Sequence, residues 1–425
     1  MLELDAFARF DVARSSAMSG LLRLGAVRAA LPRARGSSGQ RKAAPFVLGV
    51  RHFSRIDAYQ HYYGKLKNQE LLQVALISPE GMLRDTARNE PYRLALEKAL
   101  QKMQGATVMD IGTGSGFLAL LAAKYGAGKV YAIEGSPEIA QVASKLARAN
   151  GFGAVVEVIP KHLEEITEQD IPLASVDIIV SELFSHFLVG EVGLQVVTEA
   201  KRFLKPKGLV LPQEAVLKLA PFEDAQLGAE LRGRHSFWQT KDFMGLDLSP
   251  ALAIAEEQLL KELVLDIVAP EQLLLTAQQA PQERLDLVTP DDPDVWRKMS
   301  FELVFPPRER DALIDGLCGW WDVIFSSPEG ETYSVLSTGP DAAPTVWAQC
   351  RFLLHKPMRA AKDDVLNVKC ELKSHKERES YSLQMLLRNE TSKMQSRVGP
   401  VELSNVYARH FARANPFPYE TWSST

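Results

Sequence analysis

The chain has 425 residues, 24% of them charged, and a formal net charge of −4. That length holds roughly two to three domains' worth of core, and no apolar run approaches the ~20 residues of a membrane-spanning helix, so no membrane partner is expected. Three cysteines with no Cys-x-x-Cys pair argue against a disulfide framework or a structural zinc and fit a reducing compartment.

The charge is uneven along the chain. Residues 12–56 hold nine Arg or Lys and no acid, which leaves −13 on the rest. An acidic body would attract basic partners, and direct nucleic-acid binding is not expected. Residues 1–55 are basic and rich in Ser, Ala and Gly. They read as a disordered tail, with the protein in cytoplasm or nucleus, or as an organelle transit segment. Residues 56–104 read as helical, with Tyr59, Tyr62 and Tyr63 on nearby helical positions and Met82–Arg88 following the turn Pro79-Glu80-Gly81.

Next comes Thr-Val-Met-Asp-Ile-Gly-Thr-Gly-Ser-Gly at 107–116. A short apolar run predicts a buried strand that breaks into Gly112, Gly114 and Gly116 before a helical pattern starts at Phe117. Glycines here let the backbone turn hard and approach a ligand, and the helix N-terminus favours negative groups. Asp110 stands just before the glycines. A second strand, 129–133, ends in Glu134, the place where a doubly wound sheet offers an acid to ribose hydroxyls. Together these features predict a nucleoside-binding α/β domain.

Strands are further predicted at 155–159 and 177–180, and residues 203–212 read as a helix end, a glycine turn and a fifth strand. This alternation is that of a parallel sheet. Beyond 215 the rhythm changes to short runs at 216–220, 300–305, 319–325, 332–336, 347–354, 365–372 and 381–387, which predicts an antiparallel barrel or sandwich. A helical, partly aromatic insertion interrupts them at 223–263. The expected organisation is therefore a tail (1–55), an α/β domain (56–215) and a β-barrel-like domain (216–425).

Glu182 and Glu191 flank an apolar stretch just after the fourth strand, at the edge where ligands of such sheets bind. They can form the two arms of one hairpin. Two carboxylates in one pocket repel, and a planar, permanently charged guanidinium resolves that repulsion. His162 and His186 lie near acids, but with no metal spacing they are expected to pack or face solvent, and no metal is expected.

These residues carry a resemblance. From about residue 59 onward the chain resembles the protein arginine N-methyltransferase family. Glu182 through Glu191 is similar to the family's double-glutamate loop, and Val108–Gly116 to its S-adenosylmethionine loop. The resemblance implies a class I methyltransferase Rossmann-like domain followed by an antiparallel β-barrel-like domain with an inserted helical dimerisation arm, at Phe237–Leu248 and followed by Asp266–Leu273. It implies S-adenosyl-L-methionine as cofactor, an arginine-rich protein as substrate, and a homodimer through residues 223–250. It gives Glu182 and Glu191 the catalytic roles. Met82, Arg88, Asp110, Gly112, Gly114, Gly116, Glu134 and Glu164 are expected to bind cofactor, with Arg88 on its carboxylate, Glu134 at the ribose and Glu164 beside the adenine. Thr345-Val346-Trp347 occupies the family's Thr-His-Trp position, with Val346 in place of histidine and Trp347 expected to wall the substrate pocket. Gly190-Glu191, Trp320-Trp321-Asp322 and the absent histidine suggest the symmetric-dimethylating or monomethylating branch, here with a single catalytic module. The competing readings are a methyltransferase with a non-arginine acceptor and a non-catalytic scaffold that keeps the fold.

Overall fold

The computed structural model describes residues 80–190, 193–375 and 380–408. The basic segment 1–55, the three tyrosines at 59–63 and Glu191 lie outside the described residues.

The first layer starts with α1 (Thr86–Lys102). It is followed by β1 (Thr107–Ile111), α2 (Phe117–Lys124), β2 (Lys129–Ile133), α3 (Pro137–Ala149), β3 (Val156–Ile159), β4 (Val176–Ser181), α4 (Gly193–Ala200) and β5 (Leu204–Leu211). The five strands form one parallel sheet in the order β3-β2-β1-β4-β5. Val108, Met109, Asp110 and Ile111 are all buried, because helices cover both faces of such a sheet and leave no polar alternation. The strand order reverses between β1 and β4. Ile111 pairs with Ser181, so the chain leaves the sheet at Gly112 and at Glu182 on the same level. That crevice is where doubly wound sheets bind ligands. The glycine turn expected before the fifth strand is absorbed into β5 itself, as a register irregularity with Lys207 at φ +65°.

The second part opens with β6 (Glu214–Phe222), after which the arm carries α5 (Ala225–Phe237) and α6 (Leu252–Leu260). The strands then run β7 (Leu263–Asp266), β8 (Gln282–Asp286), β9 (Lys298–Phe305), β10 (Ala312–Ser326), β11 (Thr332–Ser337) and β12 (Gln349–Ala360). The last four are β13 (Leu366–Ser374), β14 (Tyr381–Asn389), β15 (Gln395–Glu402) and β16 (Val406–Ala408). One sheet runs β16-β7-β12-β10-β6-β8 with β11 on β10, and the other β15-β14-β13-β9. Pairing is antiparallel except between β16 and β7. Strict alternation of exposed and buried residues along β9 marks a sheet with one face on the core and one in water.

Four strands escaped the sequence reading: β7, β8, β15 and β16. They are short, or broken by Gly399-Pro400, and carry little alternation of their own. The strand expected from Trp347 begins two residues later. Ala348 takes a left-handed φ of +53°, and Trp347 is turned out of the sheet toward the first layer.

Arg351, fully buried on β12, is a feature that periodicity could not supply. It pairs with Asp224 at 2.5 Å and Asp266 at 3.4 Å and lies over the Phe222 ring at 4.6 Å. Asp224 also caps α5, accepting Leu227 N–H at 2.9 Å. The arm is thus fastened at its root by a buried ion pair, where the attraction between charges is strong because water is excluded.

Candidate active site

The cofactor half of the site is built from β1 and β2. Gly116, at φ +90°, ends the loop and caps α2. Gly114 has φ +56°, and the place a Cβ would occupy is open, with no heavy atom within 4 Å. At Gly112 the reverse holds, since a Cβ there would stand 2.5 Å from Leu183 Cδ2. The glycine loop and the β4 loop therefore interlock through Leu183.

Glu134 ends β2 and is buried. One oxygen accepts Ser136 N–H at 2.9 Å and the other Gly114 N–H at 3.0 Å, which ties the acid to the glycine loop. Asp110 Oδ2 accepts from Thr113 Oγ1 at 2.6 Å and Ala119 N at 3.0 Å, while buried Oδ1 has no partner among the described residues. Burial pushes the Asp110 carboxyl up to about 7, against its hydrogen bonds and aided by the charges of Glu134 and Glu182. Glu164 is exposed on the turn Leu163–Glu165 after β3. The His162 ring packs on Gly135, where a Cβ would come within 2.7 Å.

The acceptor half is built from β4, α1 and the segment before β12. After Glu182 the chain turns back on itself between Ser185 and Leu188, and the far arm expected at Glu191 lies outside the described residues. Ser185 bridges Leu188, and Phe187 and Leu188 both have positive φ, +48° and +65°. Such angles cost non-glycine residues of order 1–3 kcal/mol each. Complete burial of Phe187, Leu188 and Val189, with Phe187 edge-on to Phe352 at 5.1 Å, offsets that strain.

Arg88, expected to receive a cofactor carboxylate, is bonded differently. Nε and Nη2 both donate to Glu182 Oε2, Nε at 3.0 Å. Nη1 donates to Asn89 Oδ1 at 2.7 Å and to Met82 O at 3.4 Å. A guanidinium has five N–H donors, so one Nη2 hydrogen remains for a further acceptor. Burial opposes charge on Arg88, but the Glu182 carboxylate outweighs it and holds the guanidinium above its usual range. Glu182 Oε1 accepts Phe184 N–H at 3.2 Å.

Aromatic rings enclose this pair. Trp347 Nε1 donates to Phe184 O at 3.1 Å, Trp347 meets Trp321 edge-on at 4.8 Å, and Phe184 lies 5.5 Å from Trp321. The Arg88 guanidinium stands 5.8 Å from the Trp347 ring, within cation–π range. The buried Trp321 Nε1 has no acceptor among the described residues.

The structure therefore brings together Met82, Arg88, Asp110, Gly112, Gly114, Gly116, Glu134, Glu182 and Trp347 around one sheet edge. Sequence reasoning missed Asp85, Asn89, Phe184 and Trp321. Asp85 carried a signal as a helix cap ahead of Thr86-Ala87-Arg88. Trp321 was singled out only as a branch marker, because its facing follows only from the register of β10.

The residues present fit a nucleoside carrying a carboxylate. Gly114 leaves room beside the Glu134 carboxylate that holds the loop, and Arg88 has one N–H to spare.

Comparison with known proteins bears on the same two halves. Residues 109–211 match the family described as "Methyltransferase domain", and residues 213–391 the "Arginine methyltransferase oligomerization subdomain". Over 365 residues the chain is 29% identical to the histone-arginine methyltransferase CARMER of Culex quinquefasciatus, 86% of this chain against 57% of that one. It is 30% identical over 357 residues to CARMER of Anopheles gambiae, 84% of this chain against 54% of that one. The chain thus spans little more than half the length of these relatives. Among solved structures it is similar to Arabidopsis thaliana protein arginine methyltransferase 10, with TM-score 0.65, 27% identity, 77% of this chain and 98% of that one. The Trypanosoma brucei PRMT1 enzyme-prozyme complex with AdoHcy shares the fold, with TM-score 0.62 at 24% identity over 75% of this chain and 97% of that one. These relatives are not of the symmetric branch, so the leaning suggested by Gly190, Trp320–Asp322 and Val346 is corrected; short local matches outweighed the whole-chain likeness. A match to the methyltransferase domain at 109–211 is thus followed directly by one to the arginine methyltransferase oligomerization subdomain at 213–391, and along both halves the chain is similar to protein arginine methyltransferases.

Proposed function

We propose that this chain transfers a methyl group from S-adenosyl-L-methionine to a guanidinium nitrogen of an arginine in a basic protein, and that Glu182 and Glu191 hold that guanidinium. The observation that carries the reading is Glu182, 8% exposed at its side chain, which already takes a guanidinium from within the chain, beside Trp321 and Trp347. Residues 56–215 would be the cofactor half and 216–425 the substrate half.

When bound, the cofactor supplies an electrophilic methyl on a sulfonium. The chain's own residues supply placement. Glu134, the glycine loop and Arg88 would hold the nucleoside and its carboxylate, with Asp110 and Met82 shaping the loop and helix that carry them. Glu164, on the turn after β3, is the proposed neighbour of the adenine. Oε2 of Glu182 is committed to Arg88, so an incoming guanidinium meets Oε1 alone. A second carboxylate is then needed for a grip at two nitrogens, and Glu191, nine residues on in the sequence, is assigned that part. Orientation of this kind supplies much of a transfer's acceleration, and the carboxylates favour positive charge localised on the attacking nitrogen. An arginine guanidinium, effectively always charged, keeps its proton until the methyl moves. The proton then leaves to a glutamate or to water.

The relatives' name makes a histone tail the first substrate to try. Mass spectrometry of an arginine-rich histone peptide after incubation with the cofactor should show methyl increments on arginine. Increments on another residue type would sink the arginine assignment. Cofactor binding without any increment would favour a scaffold.

We also propose that the arm joins two copies. Met244 is 89% exposed, Leu246 64% and Ile254 65%, a concentration of apolar surface that monomers seldom carry. Replacing Met244 and Leu246 together by serine should lower the solution mass from two chains to one by light scattering. An unchanged mass would refute the arm as the contact.

A further inference from the structure

The proposed transfer needs α1 and the aromatic wall to meet Glu182 together, although Val346 and Trp347 lie far along the chain from α1. Asp85 is where the two segments touch. Its Oδ1 accepts Arg88 N–H at 2.9 Å, and its Oδ2 accepts Val346 N–H at 2.8 Å across 261 positions. The carboxylate is 3% exposed.

From these two bonds a closed circuit runs around the site. Val346 leads to Trp347, whose Nε1 donates to Phe184 O at 3.1 Å. Phe184 N donates to Glu182 Oε1 at 3.2 Å, Glu182 Oε2 receives Arg88 Nε at 3.0 Å, and Arg88 N returns to Asp85. Every link in this ring passes through main chain or through a residue of the site.

We propose that Asp85 is a positioning residue: by gripping two amides at once it sets the separation of Arg88 and Trp347, and through them the direction in which Glu182 faces. The inference rests on Glu182 being the guanidinium clamp. What distinguishes Asp85 from an ordinary helix cap is its second oxygen. A cap needs one acceptor, and serine or asparagine serves as well. Reaching an amide on each side takes two acceptor oxygens on one short stem. Burial pushes the Asp85 carboxyl up, while the Val346 and Arg88 amides and the Arg88 charge hold it back, so the site carries a desolvation cost that a cap alone would not require. The grip falls on the main chain of residue 346. It does not depend on the side chain there, which accounts for a valine where the family resemblance places histidine.

The test is Asp85→Ser, because serine keeps the cap on Arg88 N–H but is too short to reach Val346 as well. Its kcat on an arginine peptide should fall at least ~10-fold, with S-adenosylhomocysteine affinity held within about threefold and the melting temperature close to the parent's. Amide hydrogen exchange should quicken at residues 345–348 and stay unchanged in α1. Asp85→Asn, which turns an N–H donor toward one of the two amides, should act in the same direction. Parental kcat in Asp85→Ser, or unchanged exchange at 345–348, would overturn the proposal. Should the parent chain itself leave arginine unmethylated, the proposed function falls, and the exchange measurement alone decides whether Asp85 holds the two segments together.

Discussion

Glu182→Gln is expected to lower kcat for arginine methylation by ~10³-fold or more while cofactor affinity is kept. The change preserves shape and removes charge. Electrostatic stabilisation by one such group is commonly worth ~10²–10³ in rate, and loosened aim adds to it. Glutamine still accepts a hydrogen bond from Arg88, so the fold should persist, although a buried guanidinium without its counter-charge will cost some stability. The proposed cofactor residues Gly114 and Glu134, just beyond β1 and β2, bond to each other rather than to Glu182. Steady-state kinetics with calorimetric titration of S-adenosylhomocysteine separates the two effects. Glu191→Gln is expected to abolish methylation in the same way. Near-parental turnover in Glu182→Gln would remove the clamp from the mechanism.

Asp110→Asn carries the second large effect, on stability and with a defined sign. The folded carboxyl titrates near about 7 against an ordinary 3.8, with burial as the main cause. A raised folded pKa means that the protonated form is the one the fold favours. The contribution is therefore complete below about pH 4 and is lost as pH climbs through about 7. At ~1.4 kcal/mol per pH unit the interval corresponds to about 4 kcal/mol. Asparagine does not titrate, and its amide in place of the unpartnered Oδ1 imposes only a pH-independent offset. The stability of Asp110→Asn relative to the parent should thus rise from pH 4 to 7 and level off above. Urea unfolding at four or five pH values checks this. A difference that stays flat across that window would show that Asp110 is not titrating there.

Much of the α/β half was legible because its signals are local. An apolar run followed by alternate glycines and a helical pattern can fold in few ways, and Glu134 at the end of the next strand falls at the sheet edge by geometry alone. The β half was legible as a class from the density of short alternating runs. It was not legible strand by strand, since β7 and β16 are only four and three residues long and take their place from partners rather than from any pattern of their own.

The sequence by itself determined the glycine loop, the acids at the ends of β2 and β4, the turn after Glu182, and the change from parallel to antiparallel rhythm. Each depends on backbone period and on residues within about ten positions of one another. Only the tertiary structure decided that Arg88 bonds to Glu182, 94 positions away, that Asp85 reaches the amide of Val346, that Trp347 turns out of its strand, and that Arg351 is buried between two aspartates. The reason is physical: which charged or aromatic side chains meet is fixed by how sheets and helices stack, and a buried polar group takes whichever partner the packing brings within hydrogen-bond reach.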